Sequence, residues 1–199
     1  MAGSAARGGG VMTLWYTARG AGLAALITLS AATALGAVVS VPSRNAARRV
    51  VIQYAHRSAA VLGLGLLMLH VTTIVLDAKA HVGLLAVVVP FTAGYRPLWV
   101  GLGSIALYLI VTVAALGMAR GRLAASERAV RVWRRLHQLS YAAWALAIVH
   151  GFMSGTDVGT GWVNLIFLGC MVSVLFAISV RLVSVTDGEV IRTSMESGR

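Results

Sequence analysis

Five long apolar segments constrain this 199-residue chain more than any other feature. A helix that crosses the hydrocarbon core of a bilayer needs about 20 predominantly apolar residues. Helices of this kind are predicted at 20–41, 54–76, 98–119, 135–154 and 161–183. Charged residues make up 12% of the chain, whereas soluble domains contain about 25%. The sequence therefore predicts an all-α integral membrane protein built as a five-helix transmembrane bundle.

The predicted bundle divides the chain into an N-terminal tail (1–19), a transmembrane domain (20–184) and a C-terminal tail (185–199). The first apolar run is about twice as long as that of a signal peptide and precedes no clear cleavage site, so we interpret it as a membrane helix. The connection 77–97 has a short apolar core interrupted by Pro90. We expect it to lie at the interface or to dip inward as a re-entrant sixth segment, covering helices 2 and 4. An ordinary loop with an apolar patch is the alternative.

The arginines lie mainly in two of the connections between these helices. The connection between helices 1 and 2 and the connection between helices 3 and 4 contain Arg44, Arg48, Arg49, Arg57, Arg120, Arg122, Arg128, Arg131, Arg134 and Arg135. The other two connections contain only Lys79 and Arg96. Because cytoplasmic loops are enriched in Lys and Arg, this distribution predicts an outer N-terminus and a cytoplasmic C-terminus. No basic stripe lies on a soluble domain, which argues against nucleic-acid binding despite the net charge of +11.

Four of the five histidines fall in two predicted helices. His56 and His70 are 14 residues apart in helix 2, and His137 and His150 are 13 apart in helix 4. Both helices run outward in the predicted topology, so they are parallel and the histidines form two facing pairs. A step of 13 or 14 residues separates the pairs by about 20 Å, which allows two stacked porphyrins. On an ideal helix the 13-residue step leaves the two rings about 140° apart, so helix 4 must bend or tighten locally, or the two haem planes must be rotated differently.

Two paired imidazoles saturate a haem iron and suit it to electron transfer. Histidine at membrane depth is costly and usually marks a functional path. The alternative is a non-redox transporter or structural subunit, whose histidines pack against neighbouring helices or relay protons. A di-iron centre fits poorly, because no HxxxH motif occurs. A proton relay would need an acid inside a helix, and all six carboxylates lie near helix ends, in loops or in the tail.

Several cations near the histidines are candidate partners for haem propionates. Arg57, Arg134 and Arg135 lie at the inner level, and Arg96 is the candidate at the outer level. For each arginine, the alternative is a charge that only sets the orientation of the protein in the membrane, or one that contacts a lipid phosphate. His81 lies in the 77–97 connection without a partner at its level, and we interpret it as a surface or lid residue.

Three further residues lie between the two histidine levels. Trp144 is midway between the histidines of helix 4 and could bridge two haems, although simple packing is the alternative. Gly63 and Gly65 could clear space for a flat macrocycle near the helix backbone. Ordinary helix packing through small residues is again the alternative.

Three sequence motifs resemble those of a known family, and the resemblance covers about residues 50–155. WRRLHQLSY followed by His150, HR…LH in helix 2, and VPF…YRPLWVGLG entering helix 3 resemble the ferric reductase-like transmembrane cytochrome b family. That family includes the haem subunit of the periplasmic methionine sulfoxide reductase system and the membrane domain of NADPH oxidases. The resemblance implies that His56, His70, His137 and His150 are bis-histidine ligands of two b haems that carry electrons across the membrane.

The resemblance also sets expectations about partners. About 15 residues follow the last predicted helix, and no Gly-rich dinucleotide motif occurs, so we expect flavin and NAD(P)H to act only through a partner. Electrons would come from a separate cytoplasmic reductase or from quinol, which makes quinone a further candidate cofactor. The acceptor would be an extracytoplasmic redox protein, ferric chelates or oxygen. The scarcity of Lys beside abundant Arg and Ala suggests a high-GC bacterium. The bundle would then lie in the plasma membrane, in contact with membrane lipid.

Overall fold

The computed structural model describes the backbone of residues 2–41, 45–123 and 126–197, and the side chains of 12–41, 45–122 and 126–186. Within these ranges the chain is helical, without a β-strand. The α-helices are α1 (Ala2–Val39), α2 (Ala46–Leu76), α3 (Leu84–Val88), α4 (Pro97–Leu123), α5 (Glu127–His137), α6 (Leu139–Ser154) and α7 (Gly161–Ser197). A short 3-10 helix, Ala78–Ala80, follows α2. Arg44 and the side chains of Asp187, Glu189 and Glu196 lie outside the described residues.

Four of these helices are long and apolar enough to cross a membrane, which is compatible with a multi-pass membrane protein. The apolar spans are Met12–Val39, Ala46–Leu76, Pro97–Arg122 and Gly161–Thr186. Helices α1 and α7 extend beyond the predicted spans, because α1 already begins at Ala2 and α7 continues to Ser197. The segments predicted as tails are therefore largely helical in backbone.

The prediction of one helix over 135–154 is wrong. The helix breaks at Gln138, so that α5 has 11 residues and α6 has 16. The backbone N–H of Gln138 donates to the Arg135 carbonyl, and the N–H of Tyr141 donates to the Gln138 carbonyl. These bonds span three residues, as in a 3-10 turn, where each residue turns the chain about 120° rather than 100°. Local tightening, one of the three alternatives for the 13-residue histidine spacing, is therefore present at the break.

The helices form two closely packed pairs. Helix α2 packs along α1, and α4 packs along α6. Helix α1 joins the pairs because it also contacts α6 and α7. Its buried face consists largely of alanines, namely Ala18, Ala21, Ala25, Ala32 and Ala37. Small residues let membrane helices approach closely, and large apolar side chains then face outward toward lipid.

The connection between α2 and α4 folds back along α4. The hydroxyl of Ser104 donates to the Ala86 carbonyl at 2.8 Å, and the hydroxyl of Tyr108 reaches the carbonyls of Val87 and Val88 at 2.6 Å. Ser104 lies seven residues into α4, about 10 Å from its first residue. The segment therefore packs against the first turns of α4.

Candidate functional site

A cavity of about 1810 Å³ separates the α1–α2 pair from the α4–α6 pair. It is large, because single-ligand pockets usually measure roughly 300–1,000 Å³. Four histidines line it, one pair from α2 and one from the α5–α6 segment: His56, His70, His137 and His150. The cavity therefore brings together all four of the histidines that the sequence pairs.

The histidines lie at two levels. At the first level, the ring centroids of His56 and His137 are 6.3 Å apart, with the ring planes 69° from parallel. At the second level, His70 bonds the Ala18 carbonyl, and the adjacent Arg19 forms an ion pair with Asp157, seven residues after His150, so that His70 and His150 lie at the same end of the cavity. Because each histidine of α2 faces the corresponding histidine of the α5–α6 segment, the two segments run in the same direction. This is the parallel arrangement that the predicted topology requires.

Three of the four rings are oriented by the same kind of hydrogen bond. The Nδ1 atoms of His56, His70 and His150 lie 2.7–2.8 Å from backbone carbonyl oxygens, those of Ala32, Ala18 and Trp99 respectively. A carbonyl can only accept, so a neutral ring must carry its proton on Nδ1. The lone pair of each ring then resides on Nε2, which has no hydrogen-bond partner among the described residues. This is the pattern of metal-ligating histidines, whose other nitrogen donates to a backbone carbonyl or carboxylate.

His137 is held differently. Its Nδ1 is buried without a hydrogen-bond partner among the described residues, although its ring interacts with the Val113 backbone. Instead, the Trp133 indole stacks on the imidazole with centroids 5.1 Å apart and planes within 21°. The indole Nε1 donates to the Leu116 carbonyl at 2.9 Å, and the Arg120 guanidinium lies 5.1 Å above the indole. Packing against Trp133 therefore orients this ring in place of a hydrogen bond.

A glycine on the neighbouring helix faces each histidine. A Cβ atom at Gly22 would lie 2.8 Å from His70 Nδ1, and one at Gly103 would lie 2.5 Å from His150 Nδ1. These distances are too short for real Cβ contacts, so the imidazoles occupy space that only glycine leaves free.

The first level repeats this arrangement with a looser fit. A Cβ at Gly36 would lie 3.2 Å from His56 Cε1, and one at Gly117 would lie 3.8 Å from His137 Cε1. Sequence reasoning missed these glycines. The sequence could have indicated them, because Gly22 and Gly36 in α1, and Gly103 and Gly117 in α4, have the same 14-residue spacing as His56 and His70.

Gly63 and Gly65, the two glycines proposed from sequence, do not face the histidines. Gly63 packs against α1, where an added Cβ would meet the Leu29 side chain at 2.7 Å, and nothing lies within 4 Å of Gly65. Neither residue lines the cavity. The packing alternative is therefore the one that the structure supports for Gly63.

Trp144 lines the cavity and connects α6 to α1. Its indole Nε1 donates to the hydroxyl of buried Ser30 at 2.9 Å. Ser30 lies between Gly22 and Gly36 along α1, so this bond falls between the two histidine levels. Trp144 thus has a definite structural partner, which fits the packing alternative.

The predicted cations separate into two groups. Arg57 and Arg134 line the cavity near the first level, whereas Arg135 and Arg96 do not line it. Arg96 instead donates to the Met153 carbonyl. The expectation that Arg96 supplies a cation to the second level is therefore not met. His81 is exposed and also lies outside the cavity lining, in agreement with a surface role.

Two cations, Arg19 and Lys79, line the second-level end of the cavity together with two carboxylates, Asp77 and Asp157. Arg19 forms an ion pair with Asp157 and lies 3.9 Å above the Trp15 ring. The carboxylate of Asp77 accepts a hydrogen bond from the backbone N–H of Lys79 at 3.0 Å. The charges at this end are thus balanced within the described residues.

Arg181 is a candidate that sequence reasoning overlooked. It lies in the apolar span of α7, lines the cavity, and donates to the Tyr141 hydroxyl at 2.9 Å. Ionisable groups at membrane depth usually mark functional sites. Its position near the end of an apolar run made it resemble an ordinary helix-terminal charge in the sequence.

Comparisons with protein-family models, with curated proteins and with solved structures find no match to this chain. No cluster of three or more His, Cys, Asp or Glu side chains with metal-binding geometry occurs in the described part of the chain. The candidate site therefore consists of opposed pairs of histidines, each pair at one level of a shared cavity.

Proposed function

We propose that this protein is a di-haem b-type cytochrome of the membrane, which carries electrons from a cytoplasmic reductase or quinol to an extracytoplasmic acceptor. The observation that carries the proposal is the orientation of the histidines. Three of the four hold a proton on Nδ1 through a backbone carbonyl, which leaves Nε2 available as a ligand.

The residues present fit two haems. His56 and His137 would hold one group and His70 and His150 the other. Two imidazoles that shared one metal ion through bonds of about 2 Å would have ring centroids up to about 6 Å apart, because each centroid lies about 1 Å beyond its nitrogen. The observed 6.3 Å between the His56 and His137 rings agrees with this requirement. When bound, each haem would supply one-electron redox chemistry, which its histidine ligands and the burial of the site would tune.

The protein's own contribution is positioning. The carbonyls of Ala18, Ala32 and Trp99 fix the tautomer and rotation of three rings. The opposed glycines let those rings lie close to the backbone of α1 and α4. Arg57 and Arg134 provide positive charge at the first level, where it would stabilise carboxylates. We also propose that α6, about 24 Å long, completes a five-helix bundle as its shortest member.

An absorption spectrum of the purified chain tests this function. Reduction with dithionite is expected to give sharp α and Soret bands typical of a low-spin b haem. A featureless visible spectrum, obtained from protein expressed with sufficient haem, would contradict the proposal and favour a non-redox membrane protein.

A further inference from the structure

Positive charge is unevenly distributed along the cavity. Five guanidinium groups line its first-level end, on four different helices: Arg49, Arg57, Arg120, Arg134 and Arg181. No described carboxylate lines this end, because the two described carboxylates of the cavity lining, Asp77 and Asp157, lie at the second-level end. Like charges that converge on one concave surface repel one another and create a strong field for an anion.

The positive-inside rule does not by itself account for this arrangement. That rule places arginines in cytoplasmic loops but does not require them to line a cavity. Four arginines of the same connections agree with the rule but do not line the cavity: Arg48, Arg122, Arg131 and Arg135. The five lining arginines are therefore a distinct group, positioned by their helices rather than only by topology.

Two of the five are held on rigid aromatic supports. The guanidinium of Arg181 is fixed by the Tyr141 hydroxyl, and that of Arg120 lies over the Trp133 ring. The remaining N–H groups of a guanidinium so placed form a planar fork, which matches the oxygens of a phosphate or carboxylate. Gln53 and Gln138 also line this end and can donate further hydrogen bonds.

We infer that this end of the cavity binds a phosphate-bearing anion, as a site separate from the histidine pairs. The inference depends on the proposed function only in that a haem would bring two carboxylates, which is fewer than the five arginines that line this end without a described carboxylate among them. A phosphate group supplies the missing charge and the matching geometry. The phosphate could belong to an anionic lipid headgroup or to a free phosphate compound, and both share this chemistry.

Thermal unfolding of the purified chain tests the inference without using any redox signal. In neutral detergent, sodium pyrophosphate at about a hundredfold excess over its Kd is expected to raise the unfolding midpoint by about 5–10 °C relative to sodium chloride of equal ionic strength. In a parallel experiment, nanodiscs that contain phosphatidylglycerol are compared with nanodiscs of phosphatidylcholine alone. A shift in both experiments identifies a general phosphate site, and a shift only in nanodiscs identifies a lipid headgroup.

Matched variants control for net charge. The R49Q/R181Q protein is expected to lose most of the shift, whereas R131Q/R135Q, which loses the same charge outside the cavity, is expected to keep it. Arg49 is exposed, so the single variant R49Q should fold even if the double variant does not, and it should show a smaller shift than wild type.

The inference is overturned if neither phosphate source exceeds its control, or if the two double variants respond equally. A shift with polyglutamate but not with phosphate also overturns it and assigns the surface to an acidic protein. All these outcomes can be interpreted even if the purified protein shows no haem absorption, because thermal unfolding does not depend on a haem signal.

Discussion

The imidazole of His70 lies against Gly22, at a distance where even a methyl group on the glycine would collide with Nδ1. The same nitrogen bonds the Ala18 carbonyl, one turn earlier on α1. One short stretch of α1 thus both makes room for the ring and sets its rotation. His150 has the same relationship with Gly103 and the Trp99 carbonyl on α4.

This relationship predicts that Gly103→Ala impairs haem binding at the second level only. The new methyl would lie 2.5 Å from His150 Nδ1, so the ring must rotate and lose its carbonyl bond. We expect the haem content to fall to about half, because the first level keeps its own ligands. The pyridine haemochrome assay measures this content. Gly65→Ala is the control, since nothing lies within 4 Å of that position, and an equal loss in both variants would contradict the account.

Trp133 should matter for the first level alone. It stacks on His137, the one ring without a hydrogen bond to orient it among the described residues. We expect Trp133→Ala to loosen that ring and to release the first-level haem more readily, while the second-level haem stays bound. Haem content after passage over apomyoglobin measures the difference. Trp162→Ala, at an exposed position 57% accessible, serves as the control. Retention of both haems in Trp133→Ala would show that the stacking is dispensable.

The paired histidines could be predicted from sequence because their spacing and the topology place them at matched depths. The glycines could have been found as well, since Gly22 and Gly36 repeat the histidine spacing. The helix break at Gln138 could not, because no Pro or Gly marks it and its cause lies in local backbone bonding. The cavity position of Arg181 depends on how α7 packs, which the spacing within one helix does not encode.

Arg96 shows why charge alone was a poor guide. Its place in the outer connection made it the candidate cation of the second level, but its backbone adopts φ 40° and its side chain donates to the Met153 carbonyl. The last carbonyls of a helix have no donor within the helix, and the Arg96 guanidinium supplies one to the end of α6.

The hydrogen bond between Trp144 and Ser30 should stabilise the junction of α1 and α6. Interhelical side-chain bonds in membranes contribute about 0.6 kcal/mol on average and up to about 1.7 kcal/mol. We expect Trp144→Phe and Ser30→Ala each to lower the unfolding midpoint by about 1–6 °C. The double variant should be less destabilised than the sum of the two, since both remove one bond. Strict additivity in thermal unfolding would indicate that the bond contributes nothing.

Tyr108 should hold the connection 77–97 against α4. Its hydroxyl lies 2.6 Å from two carbonyls at the end of α3, where Leu85 and Val88 face outward. Removing that donor leaves carbonyls without a partner in apolar surroundings. We expect Tyr108→Phe to lower the free energy of unfolding by about 1–3 kcal/mol and to increase proteolysis of the segment. Tyr54→Phe, at a position 73% exposed, is the matched control. Equal stability of the two variants in thermal unfolding would contradict this role.

The haem-to-protein ratio of the purified chain tests the central claim most directly, because the account assigns one haem to each histidine pair. We predict two haems per wild-type chain and one in each of His56→Ala and His70→Ala, with low-spin spectra retained. A double variant that lacks both histidines should bind none. If the wild type bound a single haem, or if both single variants kept the full amount, the two-level arrangement of ligands would be contradicted.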